Sequence, residues 1–225
     1  MIKRLIFDVD GTLITKVNFI GAIEKTLKKI GIYSGNTVRL FLEAIKTYEN
    51  LNDSYNFSAY TEHMRNIVDR RLPDDFVTIF FEELKSAIPN RNELLINTID
   101  RLSQKYELVL LTNYFAESQL NRLNNMGIGK YFKECYGEQC IKPNKQAYLS
   151  ACGDKQASEC IMIGDDIYLD IQRAQEEGLN TIFVNSKGIE TGLVRGIQVN
   201  SVEEISEDII KKIENSTCKK QCLNR

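Results

Sequence analysis

From residue 90 onward, short apolar runs alternate with segments of helical period, and this rhythm narrows the possible folds more than any other feature of the chain. The runs are Leu108 to Leu111, Cys160 to Ile163 and Thr181 to Val184, and Lys3 to Phe7 supplies another at the start. Helical segments lie between them, near Asn92 to Lys105, Glu117 to Met126 closed by Gly127, Lys145 to Cys152, and Ile167 to Glu177 closed by Gly178. Parallel strands need crossover helices, so the pattern predicts an α/β fold with a parallel sheet covered on both faces, a three-layer α/β/α core. Val202, Ile205, Ile209 and Ile213 share one helical face and predict a last helix that docks before the tail frays.

Between the first run and residue 90 the rhythm is different. Phe19, Ile20, Ile23, Leu27 and Ile30, then Val38, Phe41, Leu42 and Ile45, recur at helical spacing, punctuated by Gly31, Gly35 and Pro73, with no convincing strand. The expected organisation is a core of residues 1–15 and 90–225 interrupted by an all-α insertion, 16–89. The length of 225 residues accommodates a core of about 150 plus an insertion of about 70.

Charge removes some function classes. Lys and Arg number 29 against 31 Asp and Glu, a net −2, so the chain lacks the positive field of a binder of nucleic acid polymers or anionic membranes. No apolar run approaches the roughly 18 residues of a membrane span, and Asp8 cuts off the N-terminal run, so a soluble cytoplasmic protein is expected. The 6 Cys are read as reduced thiols. Cys218 and Cys222 in the tail CKKQC are candidates for a metal or a pairing, but His63 is the single histidine, which argues against a zinc site.

In open α/β sheets the chemistry sits beyond the carboxyl ends of the strands. There this chain carries Asp8-Val9-Asp10-Gly11-Thr12, Thr112-Asn113, Lys142-Pro143 in a loop that opens a helix, and Gly164-Asp165-Asp166 with Asp170 a turn later. Taken singly, Asp165 or Asp166 reads as well as a helix N-cap, and Asp10-Gly11 as a turn. Taken together, the acids would repel one another unless a cation lay among them, and hard carboxylate oxygens suit Mg²⁺.

The set resembles the haloacid dehalogenase (HAD) superfamily. DVDGTL is similar to its first motif, the Thr of LLTN to the second, the Lys of IKPN to the third and GDDIYLD to the fourth, with KPNKQAYLSACG and DIQRAQEEGLNTIFVN similar to the usual continuation. The resemblance implies a Rossmann-like core, with the insertion as a C1-type helical cap. It implies Asp8 as nucleophile and Asp10 as general acid and base, the latter also offering its backbone carbonyl to Mg²⁺. Asp8, Asp10 and Asp165 would then be the metal ligands. Thr112, Asn113 and Lys142 would hold the phosphoryl group, and Asp166 and Asp170 would support the site, Asp166 through water.

A phosphate monoester repels nucleophiles through its charged oxygens, and a carboxylate attacks it once Mg²⁺ and a Lys offset that repulsion. The dehalogenases of the superfamily lack an acid at the position of Asp10, because halide leaves without a proton. The expected activity is therefore that of a Mg²⁺-dependent phosphatase acting on a small phosphorylated metabolite, with nucleoside monophosphates, phosphoglycolate and sugar phosphates as candidates. A phosphomutase and a noncatalytic phosphometabolite binder are the alternatives, and a monomer or homodimer is expected. Tyr114 stands where many relatives place Gly, which narrows the pocket or offers a ring to the substrate. In the insertion, Tyr55, Phe57, His63, Arg65, Arg70 and Arg71 read either as substrate contacts or, more plainly, as cap core and solvated helix faces.

Overall fold

Six short segments satisfy their backbone groups by pairing side by side in the computed structural model, which describes residues 1–15, 18–189 and 196–223, with side chains as far as residue 216. They are β1 (Arg4–Phe7), β2 (Glu107–Leu111), β3 (Glu134–Tyr136), β4 (Cys160–Gly164), β5 (Asn180–Val184) and β6 (Ile197–Val199). All pair in parallel, in the order β3-β2-β1-β4-β5-β6. The period of two in each strand separates the two faces of the sheet. Leu5 and Phe7 of β1 join one apolar cluster with Leu95, Ile99, Leu123 and Ile210, whereas Ile6 joins another with Ala147, Tyr148, Ala151 and Ala174. This is the Rossmann-like three-layer arrangement expected.

The helices between the strands are α5 (Glu93–Ser103), α6 (Ala116–Asn125), α7 (Lys145–Cys152) and α8 (Arg173–Glu176), the last preceded by a π-helical turn over Ile167–Gln172. Two departures from the sequence reading concern short or frayed elements. β3 and β6 have three residues each, too few for periodicity to reveal. The final helix, α9 (Glu207–Leu223), begins later than expected, because Val202–Glu204 forms a separate 3₁₀ turn and Ile205 is extended. Cys218 and Cys222 have side chains outside the described residues.

The insertion folds as α1 (Phe19–Ile30), α2 (Gly35–Leu51), α3 (Phe57–Ile67) and α4 (Phe76–Ser86). Local signals set their ends: Asn18 caps α1 by accepting from the Gly21 N–H, Gly31 closes it at φ 82°, and Ser34 with Thr37 forms a capping box on α2. The four helices pack around their own cluster, including Leu27, Phe41, Tyr60, Phe76 and Phe80. Tyr114, Phe115 and Ile141 of the α/β unit enter that cluster too. Backbone bonds reinforce the contact, from the Tyr55 N–H to Glu138 O at 2.7 Å and from the Ile141 N–H to Asp53 O at 2.9 Å. Among the described residues, no helix is long and apolar enough to cross a membrane.

Candidate active site

The strand order reverses between β1 and β4, and a crevice opens there beyond their carboxyl ends. Asp8 follows β1 directly, and its backbone N–H still pairs with Ile163 O of β4 at 2.9 Å, so its side chain is fixed by the sheet itself. Asp165 follows β4, and Thr112 follows β2 with its N–H on Tyr136 O. Two glycines permit the approach of these ends. A Cβ on Gly11, whose φ is +96°, would fall 2.3 Å from the Asp165 carboxylate, and one on Gly164 would fall 2.2 Å from that of Asp170.

Lys142 lies at the centre, buried, with Nζ 2.8 Å from Asp8 Oδ1 and 2.6 Å from Asp170 Oδ1. Asn113 fixes its backbone, accepting from the Lys142 N–H at 2.8 Å and donating to the Lys142 carbonyl at 2.7 Å. Carboxylate oxygens of Asp8, Asp165 and Asp170 lie within 4.8 Å of one another. Burial pushes the Asp8 carboxyl up to about 7 against the pull of Lys142, and Asp170 is raised for the same reason. The two carboxylates in turn hold the Lys142 ammonium well above the ordinary lysine range, despite its burial.

A crowded trio of oxygen donors, one of them raised towards neutrality by its burial, fits a hard divalent cation. Asp170 is the most committed of the three, since its Oδ2 accepts from the Asp166 N–H at 3.0 Å. Asp8 Oδ2 and Asp165 are the freer donors, although Lys187 Nζ rests 2.9 Å from Asp165 Oδ2. Asp166 serves as the N-cap, its Oδ1 accepting from the N–H groups of Tyr168 and Leu169.

Asp10 stands apart from the trio. Its carboxylate is gripped by Arg122, with Nη2 to Oδ1 at 2.7 Å and Nη1 to Oδ2 at 3.0 Å, and by Gln119 Nε2 at 2.8 Å. Gln119 also donates to Thr112 Oγ1 at 2.9 Å, leaving the threonine O–H to donate elsewhere. Gln119 and Arg122 did not emerge from the motifs. Their signal is subtler: 119, 122, 123 and 126 make one buried stripe of α6 and its end, and two of those four positions are polar.

Residues 5–184 match the haloacid dehalogenase-like hydrolase family. The chain belongs to that family. This HAD-like hydrolase is 26% identical over 229 residues to the glyceraldehyde 3-phosphate phosphatase of Methanothermobacter thermautotrophicus, covering 92% of this chain and 98% of the relative. Its fold is shared with the magnesium-bound HAD-hydrolase YfnB from Bacillus subtilis, at TM-score 0.64 and 20% identity over 90% of this chain and 96% of that one. It is shared equally with a 2-haloacid dehalogenase from Pseudomonas syringae, at TM-score 0.68 and 19% identity over 96% and 99%.

The crevice of this HAD-like hydrolase has a volume of about 560 Å³ and runs from the carboxylates to the helical insertion. The insertion faces it with Phe19, Ile45, Glu49 and Leu84. None of the six residues named from the sequence as possible substrate contacts lines it. His63 Nε2 lies between Thr47 Oγ1 and Ala44 O, and Arg65, Arg70 and Arg71 pair with Asp74, Glu62 and Asp69. Tyr55 and Phe57 belong to the aromatic cluster around Phe115. Tyr114 does line the crevice, but its ring is packed against Tyr55, Phe81 and Phe115, so it works chiefly as a strut between the two units.

Proposed function

We propose that this hydrolase is a Mg²⁺-dependent phosphatase that cleaves a small phosphomonoester through an aspartyl phosphate on Asp8. The observation that carries the reading is the separation of two neighbouring carboxylates into two environments. Asp8 lies among carboxylates close enough together to hold a cation, with Lys142 on one oxygen, whereas Asp10, two residues on, is turned out of that cluster onto Arg122 and Gln119. A dehalogenase has no use for the second group, because its leaving group needs no proton. The phosphatase relative that spans nearly the whole chain is consistent with this choice.

Asp8, Asp165 and the backbone carbonyl of Asp10 would hold the ion, with Asp170 beside them. When bound, it supplies positive charge against the phosphoryl oxygens. Lys142 holds Asp8 at Oδ1 and keeps the carboxylate in place for one of its oxygens to attack phosphorus. As the new O–P bond forms, the bond to the alcohol oxygen breaks, and that oxygen takes its proton from Asp10. A water then attacks the aspartyl phosphate while Asp10 removes its proton, and cleavage of the Asp8–phosphorus linkage releases phosphate. Asp10 gives the alcohol the proton it took from the water of the preceding turnover, and for both transfers its carboxyl turns from the Arg122 fork towards the crevice. The Thr112 O–H, the Lys142 ammonium and the Asn113 side chain orient the phosphoryl group. The helical insertion acts as the cap that excludes water.

The test is phosphate release from p-nitrophenyl phosphate with and without Mg²⁺. Wild type should turn over only with the ion, and Asp8→Asn should abolish release. Retention of Mg²⁺-dependent release by Asp8→Asn would overturn the assignment of the nucleophile.

A further inference from the structure

The wall that the insertion turns towards the crevice is unlike a wall built to receive an anion. Among the described residues, Glu49 of α2 is its one charged side chain, a turn beyond Ile45 on the same helical face, with Phe19 and Leu84 beside them. The Tyr55 hydroxyl donates to Glu49 Oε1 at 2.8 Å and so holds the carboxylate in place. Among the described residues, no Lys or Arg of the insertion reaches the crevice.

Among the described residues, the cations that line it all come from the α/β unit, and each is already paired: Lys142 with Asp8 and Asp170, Arg122 with Asp10, Lys187 with Asp165. Among the described residues the crevice holds six carboxylates against three such cations, so even a divalent ion leaves these groups without positive charge to spare beyond the phosphoryl group. Burial also raises the Glu49 carboxyl above its usual range, the mark of a group poorly served by water.

Resting on the phosphatase reading, we infer that Glu49 is the specificity-determining residue for the alcohol half of the substrate. It accepts a hydrogen bond from a hydroxyl of a short, uncharged chain and rejects a carboxylate or a second phosphate at the same place. Phe19, Ile45 and Leu84 cover the carbon skeleton. The substrate class is thus the phosphomonoester of a neutral polyhydroxy compound. Phospho-acids such as phosphoglycolate, and bisphosphates, fall outside it.

Glycerol 3-phosphate and 3-phosphoglycerate test this, because they differ only in a CH₂OH against a carboxylate at the far end. A like charge placed about 6 Å from Glu49 at an effective dielectric constant of about 20 weakens binding by about a hundredfold, so wild-type kcat/KM should favour glycerol 3-phosphate by about that factor. The difference should appear mainly in KM. Glu49→Gln should compress the ratio to about tenfold or less by improving 3-phosphoglycerate, and Ile45→Lys, which brings a cation to the same wall one turn from Glu49 and within reach of its carboxylate, should compress it as well. Equal or reversed preference in wild type would overturn the inference, as would a ratio unmoved by both substitutions. If neither ester nor p-nitrophenyl phosphate releases phosphate with Mg²⁺, the phosphatase reading itself falls, and this one with it.

Discussion

Arg122 and Asp10 are joined by two hydrogen bonds, yet removing one partner should cost far more than removing the other. The Arg122 side chain is 2% exposed and that of Asp10 49%. Asp10→Ala leaves a guanidinium sealed in the fold with only Gln119 Oε1 as a partner, and its Nε makes no hydrogen bond to begin with. An uncompensated buried charge costs about 3–5 kcal/mol. Arg122→Met fills much of the same volume and leaves a carboxylate that water reaches from the crevice and that Gln119 still contacts. That loss should be about 1–2 kcal/mol, the worth of charge-assisted hydrogen bonds partly replaced by water. The assay is urea unfolding followed by circular dichroism in metal-free buffer, for both variants and for the double variant. The double variant should be more stable than Asp10→Ala alone, because it no longer buries an unpaired charge. If Arg122→Met proves as damaging as Asp10→Ala, or the double variant the worst of the three, the reasoning from burial is wrong.

Three further outcomes follow from the geometry. The Asp8 carboxyl is raised to about 7 from an unfolded value of about 3.9, so without metal its contribution to stability is fully present below about pH 4 and lost as pH rises through 7. Mg²⁺ binding at pH 6 should therefore release a proton, visible as a dependence of the calorimetric heat on the ionisation enthalpy of the buffer; no dependence would exclude it. Gly11→Ala places a methyl group 2.3 Å from the Asp165 carboxylate at φ +96°, so Mg²⁺ affinity should fall at least tenfold, on the order of the changes that displaced ligand partners cause, and unchanged affinity by titration would refute this. Tyr114→Ala removes a strut between the units, so the Tyr55 and Ile141 amides, which pair across that junction, should exchange hydrogen faster while amides of β1 keep their protection; equal protection at both places would dismiss the strut.

Much of the fold could be read from the chain because its strong elements repeat a simple period. β1, β2, β4 and β5 are four or five residues long and each carries a mainly apolar run buried on both faces, and the helices that cross between them end at Gly127 and Gly178 as a left-handed closure requires. The edge strands β3 and β6 were silent for the opposite reason. Glu134-Cys135-Tyr136 and Ile197-Gln198-Val199 carry no run, and they are strands only because β2 and β5 offer them a free edge. Val202 and Ile205 show the other failure of period alone: they are buried as expected but belong to a 3₁₀ turn and an extended residue, since apolar spacing reports which side faces the core and not the backbone that presents it.

The same division runs through the site. Asp8, Thr112 and Asp165 follow strands, so topology alone delivers them to one edge, and short motifs suffice to find them. Gln119, Arg122 and Glu49 project from helices, and their meaning depends on what lies opposite. In sequence each looks like an ordinary solvated position of an amphipathic helix. Yet each sits where the apolar stripe should continue: Glu49 four residues after Ile45, Gln119 and Arg122 in line with Leu123. A charge on the buried stripe of a helix is costly unless a partner or a ligand meets it, so such positions mark either an ion pair or a binding wall. Arg122 resolves as the first, because Asp10 is there. Among the described residues, Glu49 meets only a tyrosine hydroxyl and an open crevice, and that unspent half of its carboxylate is what gives the crevice a preference among substrates rather than mere room for one.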